Sequence, residues 1–152
     1  MRENISASDV TYVAEDGSPS IVALWNGREI GKLVYVDQGD GERLLSDVFV
    51  EKKIVLQQSL WANLRRRFSP GWGIVSASGL GIGTQLVQRF LLLCQQDAIR
   101  EVFGNVTRDG DDSQPFLRGW YERLGFRIAP LDGRAEYGEV AYKVIWNPQG
   151  QQ

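Results

Sequence analysis

Between residues 10 and 50 the apolar side chains keep the period of a strand. Val10-Thr11-Tyr12-Val13 and Ile21-Val22-Ala23-Leu24-Trp25 are rich in β-branched and aromatic residues, which fit a pleated surface. Asp16-Gly17-Ser18-Pro19 separates them as a turn. Asn26-Gly27 is a hairpin signal, because both residue types tolerate the positive φ that a tight hairpin turn requires. Glu29 to Val36 is the return strand, Asp37 to Gly41 a second turn, and Leu44 to Val50 a further strand. Strict alternation there places Leu45, Asp47, Phe49 and Glu51 on one face and Ser46, Val48 and Val50 on the other. The first third of the chain is thus an antiparallel meander behind a loose polar stretch at 1–9.

Over residues 52–68 the period becomes helical: Leu56, Leu60 and Leu64 recur every four, with Trp61 and Phe68 alongside. Arg65, Arg66 and Arg67 close this helix, where positive charge suits the dipole, and Ser69-Pro70-Gly71 stops it. Gly73 to Ala77 is a short extended approach to Ser78-Gly79-Leu80-Gly81-Ile82-Gly83. A second amphipathic helix starts at Thr84, with Leu86, Val87, Phe90, Leu91 and Cys94 on one face. Ile99 to Val106 is a strand, and Thr107 to Gln114 a polar loop. The Asp109-Gly110-Asp111-Asp112 run lacks the spacing and final glutamate of a calcium loop. Pro115 opens a helix carrying Phe116, Leu117, Trp120, Tyr121 and Leu124, and Gly125 caps it. Phe126 to Ala129 and Val140 to Trp146 are the last strands, and 148–152 is expected to be a disordered tail. The order predicts an α/β (or, more loosely, α+β) fold, a mixed central sheet flanked by helices. Residues 1–152 are expected to form a single domain.

Composition narrows the chemistry. The net charge of −2 gives no general attraction to nucleic acid. No apolar run approaches the roughly 20 residues of a membrane span. Met1-Arg2-Glu3-Asn4 lacks the charged-then-apolar pattern of a secretory leader, so a cytoplasmic protein is expected. The single cysteine, Cys94, rules out an internal disulfide and a thiolate metal cluster. With no histidine at all, a Ser-His-Asp triad, a histidine base and a histidine-ligated metal are excluded, and no metal site is expected. Carboxylates, tyrosines, hydroxyls, water and backbone remain. Among these, a glycine turn opening a helix aims backbone N–H groups at a positive dipole end, a seat suited to a phosphate or diphosphate.

Three segments in order resemble the GNAT superfamily of N-acetyltransferases. Leu45-Ser46-Asp47-Val48-Phe49-Val50 looks like the family's central strand. Ser78-Gly79-Leu80-Gly81-Ile82-Gly83 matches its Arg/Gln-x-x-Gly-x-Gly/Ala loop at both glycines. Trp120-Tyr121-Glu122-Arg123-Leu124-Gly125-Phe126 is very similar to its Tyr-x-x-x-Gly-Phe segment. The likeness spans residues 21–146 and departs from the family in four places. Ser78 stands where Arg or Gln is usual, and Gln114 replaces an asparagine seven residues before the tyrosine. Residues 51–77, with their own helix, read as an insertion between strand and loop. The usual N-terminal pair of helices has no room before Ile21.

The resemblance implies an acetyl-CoA-dependent N-acetyltransferase in which a primary amine attacks the thioester directly. It assigns cofactor contacts to Ser78, Gly79, Leu80, Gly81, Ile82, Gly83 and Thr84, with Gln114 among the cofactor residues. Phe49 and Val50 would bond the pantetheine arm and polarise the thioester carbonyl. Tyr121 is the candidate general acid for the departing thiolate. Asp47 is a candidate base, with Glu42, Glu51 or a water chain as alternatives. The acceptor is a small-molecule or peptide amine, with no nucleic-acid or membrane partner. A homodimer through exposed sheet edges is one outcome the sequence leaves open. The competing reading is a catalytically inactive acyl-CoA sensor or interaction module on the same fold. A dinucleotide-binding protein fits poorly, because Gly79-x-Gly81-x-x-Thr84 lacks the third glycine and follows an antiparallel meander.

Overall fold

The computed structural model describes residues 5–51, 53–55, 74–76, 79–130 and 140–148. Nine strands are described: β1 (Val10–Ala14), β2 (Ser20–Trp25), β3 (Arg28–Gly39), β4 (Glu42–Val50), β5 (Lys53–Val55), β6 (Ile74–Ser76), β7 (Glu101–Thr107), β8 (Arg127–Pro130) and β9 (Val140–Trp146). The described α-helices are α1 (Ile82–Gln96), α2 (Arg108–Ser113) and α3 (Leu117–Arg123). Seven strands form one mixed sheet in the order β1-β2-β3-β4-β7-β9-β8, and β5 pairs with β6 in a separate ribbon. Only β4 and β7 run parallel in the main sheet, and α1 lies on the crossover that this direction requires.

The second and third hairpins of the meander turn where the sequence supplies positive φ. Asn26 and Gly27 stand at φ 49° and 75°, and Asp40 and Gly41 at 53° and 76°. The latter turn is therefore narrower than the five-residue turn expected at 37–41, and β3 runs on to Gly39. The N-terminal stretch is more ordered than its polarity suggests. Ile5 is buried, and a capping box between Ser6 and Asp9 closes a short 3-10 turn at Ala7–Asp9.

α1 buries the face its periodicity predicts, Leu86, Val87, Phe90, Leu91 and Cys94, and begins two residues earlier than Thr84, with Ile82 also buried. This face packs on β2, β3 and β4 over Ile21, Ala23, Leu33 and Leu45. Two expectations are corrected. Residues 53–55 are extended and pair with 74–76, so a helix over 52–68 does not start where the four-residue leucine spacing placed it. The remainder of that segment, with Arg65–Arg67, lies outside the described residues, as do 149–152 of the tail. Residues 108–113 are helical and not a loop: the Thr107 hydroxyl accepts from the Gly110 N–H at 3.0 Å, and Asp109 and Asp111 occupy the first turn, where acidic groups favour a helix start.

A buried guanidinium locks the closed end of the sheet to α1. Arg43 of β4 is 5% exposed. Its Nε donates to Asp37 Oδ1 at 2.6 Å and its Nη1 to Asp97 Oδ2 at 3.0 Å, with Cys94 Sγ at 3.7 Å. The guanidinium also stacks 4.7 Å from the centroid of the Tyr35 ring, which in turn meets Phe90 at 5.3 Å. Burial works against its charge, but the bonds to Asp37, Asp97 and Cys94 outweigh it and hold Arg43 above its ordinary pKa. Burial pushes the Cys94 thiol up to about 11, consistent with packing and not reactivity. Replacing Arg43→Ala removes a buried cation and its stem while the two carboxylates, both partly exposed, rehydrate. The expected cost is about 2–3 kcal/mol in urea unfolding, below that of a fully enclosed pair; a loss under about 1 kcal/mol would contradict this role.

Candidate functional site

β4 and β7 pair over only three positions, Glu42 with Glu101, Arg43 with Val102 and Leu44 with Phe103. Beyond Leu44, β4 stays on β3 and β7 stays on β9, so the two strands part. A β-bulge turns β4 at this point. Val34 faces Asp47 and Tyr35 faces Leu45, which leaves Ser46 as an extra residue. The bulge also corrects the expected alternation. Leu45 is buried, whereas Asp47 and Phe49 are exposed and Val48 and Val50 pack toward the core, because one inserted residue exchanges the faces of all that follow. Between the parted strands lies a cleft of about 620 Å³.

The glycine turn and the start of α1 close one side of this cleft. Gly79 and Gly81 stand at φ 78° and 67°, where side chains are disfavoured, and a Cβ on either would meet nothing within 4 Å. Gly81 is the N-cap, and no side chain caps the helix start. The N–H groups of Ile82, Gly83 and Thr84 are therefore free of intrahelical partners at the positive end of a fifteen-residue helix. Thr84 is tied sideways: its Oγ1 accepts from Trp120 Nε1 at 2.9 Å.

α3 supplies the opposite wall and Tyr121. Its end is a Schellman motif: the Phe126 N–H donates to the Tyr121 carbonyl and the Gly125 N–H to the Glu122 carbonyl, each at 3.0 Å. Gly125 takes φ 94°. The Tyr121 ring meets Phe126 edge-on at 5.4 Å and Trp120 at 4.8 Å. Backbone and ring are thus both fixed, and the side chain lines the cleft. Burial pushes the Tyr121 phenol up to about 12, with smaller contributions from the neighbouring Tyr142 and the Asp47 carboxylate. This phenol keeps its proton throughout the physiological range.

The cleft brings together most of the residues singled out in the sequence. Asp47, Val50, Gly79, Gly81, Ile82, Gly83, Thr84, Gln114 and Tyr121 all line it. Phe49 does not: its side chain is 58% exposed. Leu80 does not line it either and packs partly buried against the core. Ser78 lies outside the described residues. Sequence reasoning missed the β7 wall, Gly104, Asn105 and Thr107, and also Trp120. A glycine inside a β-branched run signals close backbone approach, and Gly104 is such a case: a Cβ there would stand 3.1 Å from Val144 Cγ2 and 3.4 Å from the Leu45 carbonyl. Among the described lining residues, Asp47 is the only one with a charged side chain.

No protein-family model matches the sequence, and no curated protein is similar to it. Solved structures are similar in fold. An acetyltransferase of the GNAT family from Staphylococcus aureus Mu50 superposes with a TM-score of 0.55 at 16% identity, over 84% of this chain and 66% of that one. The PaiA N-acetyltransferase from Thermoplasma acidophilum, solved in complex with coenzyme A, gives 0.51 at 14% identity, over 84% of this chain and 59% of that one. Arabidopsis thaliana Naa50, in complex with the bisubstrate analogue CoA-Ac-MVNAL, gives 0.53 at 16% identity, over 84% and 72%. The chain thus spans between 59% and 72% of the length of these three proteins. Strand order, the parted sheet and these likenesses agree that this chain has the fold of the GNAT N-acetyltransferases.

Proposed function

We propose that this chain is an acyl-CoA-dependent N-acetyltransferase that moves an acetyl group to a primary amine by direct attack. One observation carries the reading: the parted β4 and β7 open directly onto an uncapped helix start, with Tyr121 on the facing wall. The donor set fits coenzyme A. N–H groups at Gly81–Thr84 suit a diphosphate, and glycines leave the space it needs. The inner edges of β4 and β7 carry backbone groups without a ladder partner beyond the third pair, and pantetheine amides are complementary to such an edge. The described lining has no lysine or arginine, so the backbone dipoles carry the anion.

The chemistry balances without a metal or an enzyme-bound acyl group. The neutral amine nitrogen bonds to the thioester carbonyl carbon, the C–S bond breaks, and the net transfer moves one amine proton to sulfur. Tyr121 gives its proton to the departing thiolate and recovers one from the amine side, through water or Asp47. A phenol near 12 is a weaker acid than an ordinary thiol near about 8.5. Handing over and recovering the proton together avoids a free phenolate. The exposed Asp47, across the cleft, attracts the cationic form of an acceptor before it deprotonates. The acceptor class is a small-molecule or peptide amine, the peptide option matching the peptidyl part of the analogue held by Naa50.

Calorimetry is expected to show acetyl-CoA binding in the micromolar range, and Gly81→Val, which cannot take φ 67° without strain, loses at least about tenfold. Absence of heat with any acyl-CoA would end the reading. Tyr121→Phe keeps the packing against Trp120 and Phe126 and is expected to lower kcat about a hundredfold with little change in KM. Unchanged kcat removes the acid role, and binding without thiol release across an amine panel leaves a non-catalytic acyl-CoA module. The pH profile has a definite sign. Because the phenol pKa is raised, the protonated donor persists as pH rises, so kcat should not fall between pH 7 and 10. A descending limb centred below pH 9 contradicts a neutral Tyr121 as donor.

A further inference from the structure

We infer that Trp120 is a positioning residue for the cofactor: its indole N–H fixes the Thr84 hydroxyl so that the hydroxyl proton is left for the diphosphate. The inference rests on the acyl-CoA reading above. A hydroxyl has one proton and two lone pairs, whereas an indole N–H only donates. The 2.9 Å bond from Trp120 Nε1 therefore makes Thr84 Oγ1 the acceptor. With a lone pair so engaged, the Thr84 proton points elsewhere, and among the described residues it has no partner. Thr84 stands in the first turn of α1 beside the free N–H groups and lines the cleft, so that proton joins their set.

The placement of Trp120 is specific. Its Cζ2 lies 3.6 Å from where a Cβ on Gly83 would stand, so the indole lies within van der Waals reach of the helix start. Its other side meets Tyr121 at 4.8 Å. One ring therefore spans from the anion seat to the phenol, and α3 is connected to α1 through a polar bond of known direction. An unbonded threonine in a first helical turn has other options, since such hydroxyls commonly bond back to a nearby carbonyl. The indole holds the hydroxyl oxygen in place and narrows the directions in which its proton can point.

The test is calorimetry with coenzyme A, together with initial-rate kinetics, on the full chain and four variants. Trp120→Phe keeps an aromatic ring but loses the donor. Thr84→Val keeps the shape but loses the hydroxyl. Thr84→Ser keeps the hydroxyl, and the fourth variant combines Trp120→Phe with Thr84→Val. Trp120→Phe and Thr84→Val should each weaken coenzyme A about five- to tenfold and raise the KM for acetyl-CoA by the same factor, with kcat nearly constant. The double variant should be no weaker than the worse single, and Thr84→Ser should bind like the parent chain. Additive losses in the double variant, or affinities equal to the parent with only a lowered Tm, overturn the inference and leave the acyl-CoA reading standing. Failure of the parent chain itself to bind coenzyme A overturns both.

Discussion

The short parallel ladder between β4 and β7 governs the rest of this structure. A sheet gains by continuing its ladder, because every unpaired N–H and C=O on an inner edge must find another partner. Here pairing stops after three positions although both strands run on. Two local causes act at the same level. The extra residue at Ser46 twists β4 away from β7. On β7, Gly104 sits close under the Leu45 carbonyl and against Val144, so the strands meet there without a side chain between them and then diverge. The result is a wedge lined by backbone, which suits a ligand with amides of its own.

The electrostatics of the wedge follow from what is missing around it. The helix start has no capping side chain, and among the described lining residues none is cationic, so the positive feature of the described lining is the end of α1. Across the cleft stand one exposed carboxylate, Asp47, and one phenol held protonated by burial. Within the proposed reaction, an anionic cofactor and a cationic acceptor approach from different sides and meet where neither charge is fully solvated. Neutral donors at the meeting point are an advantage: a fixed cation beside the amine would oppose its approach, whereas a phenol stabilises sulfur without repelling nitrogen.

What the sequence made legible, and what it hid, divides along the range of the interactions. The face of α1, the Asn26-Gly27 turn and the Gly125 cap depend on residues within a few positions of one another, and each was readable from spacing. The Tyr121-to-Phe126 segment was legible through its resemblance to a known family, and it is a local unit because one Schellman bond and the ring contact both join residue 121 to residue 126. The bulge at Ser46 was not, because Leu44 to Val50 alternates plausibly in either register and only the pairing with β3 decides it. α2 was hidden by a composition of aspartates and glycine that reads as loop until Thr107 is seen to cap it. The Trp120–Thr84 bond joins residues thirty-six positions apart, and no local pattern announces it. Helical spacing misled at 53–55, where pairing with 74–76 overrides it.

The buried Arg43 gives the wedge a fixed end. It lies within the three-pair ladder, opposite Val102, and its guanidinium reaches the far end of α1 at Cys94 and Asp97. Asp97 is the C-cap, where a negative charge opposes the helix dipole. Arg43 neutralises both the carboxylate and that end of the helix. α1 runs antiparallel to β4, so its other end arrives at the mouth of the wedge, with Gly83 beside Val50 and Trp120. The helix therefore acts as a strut about 22 Å long, anchored by charge where the strands are joined and free of side-chain caps where they part. Pinning one end limits how far the anion seat shifts against β4 when a ligand enters. The Trp120–Thr84 bond supplies the second point of attachment, so α1 is held at both ends by polar contacts while its buried face is held by the sheet.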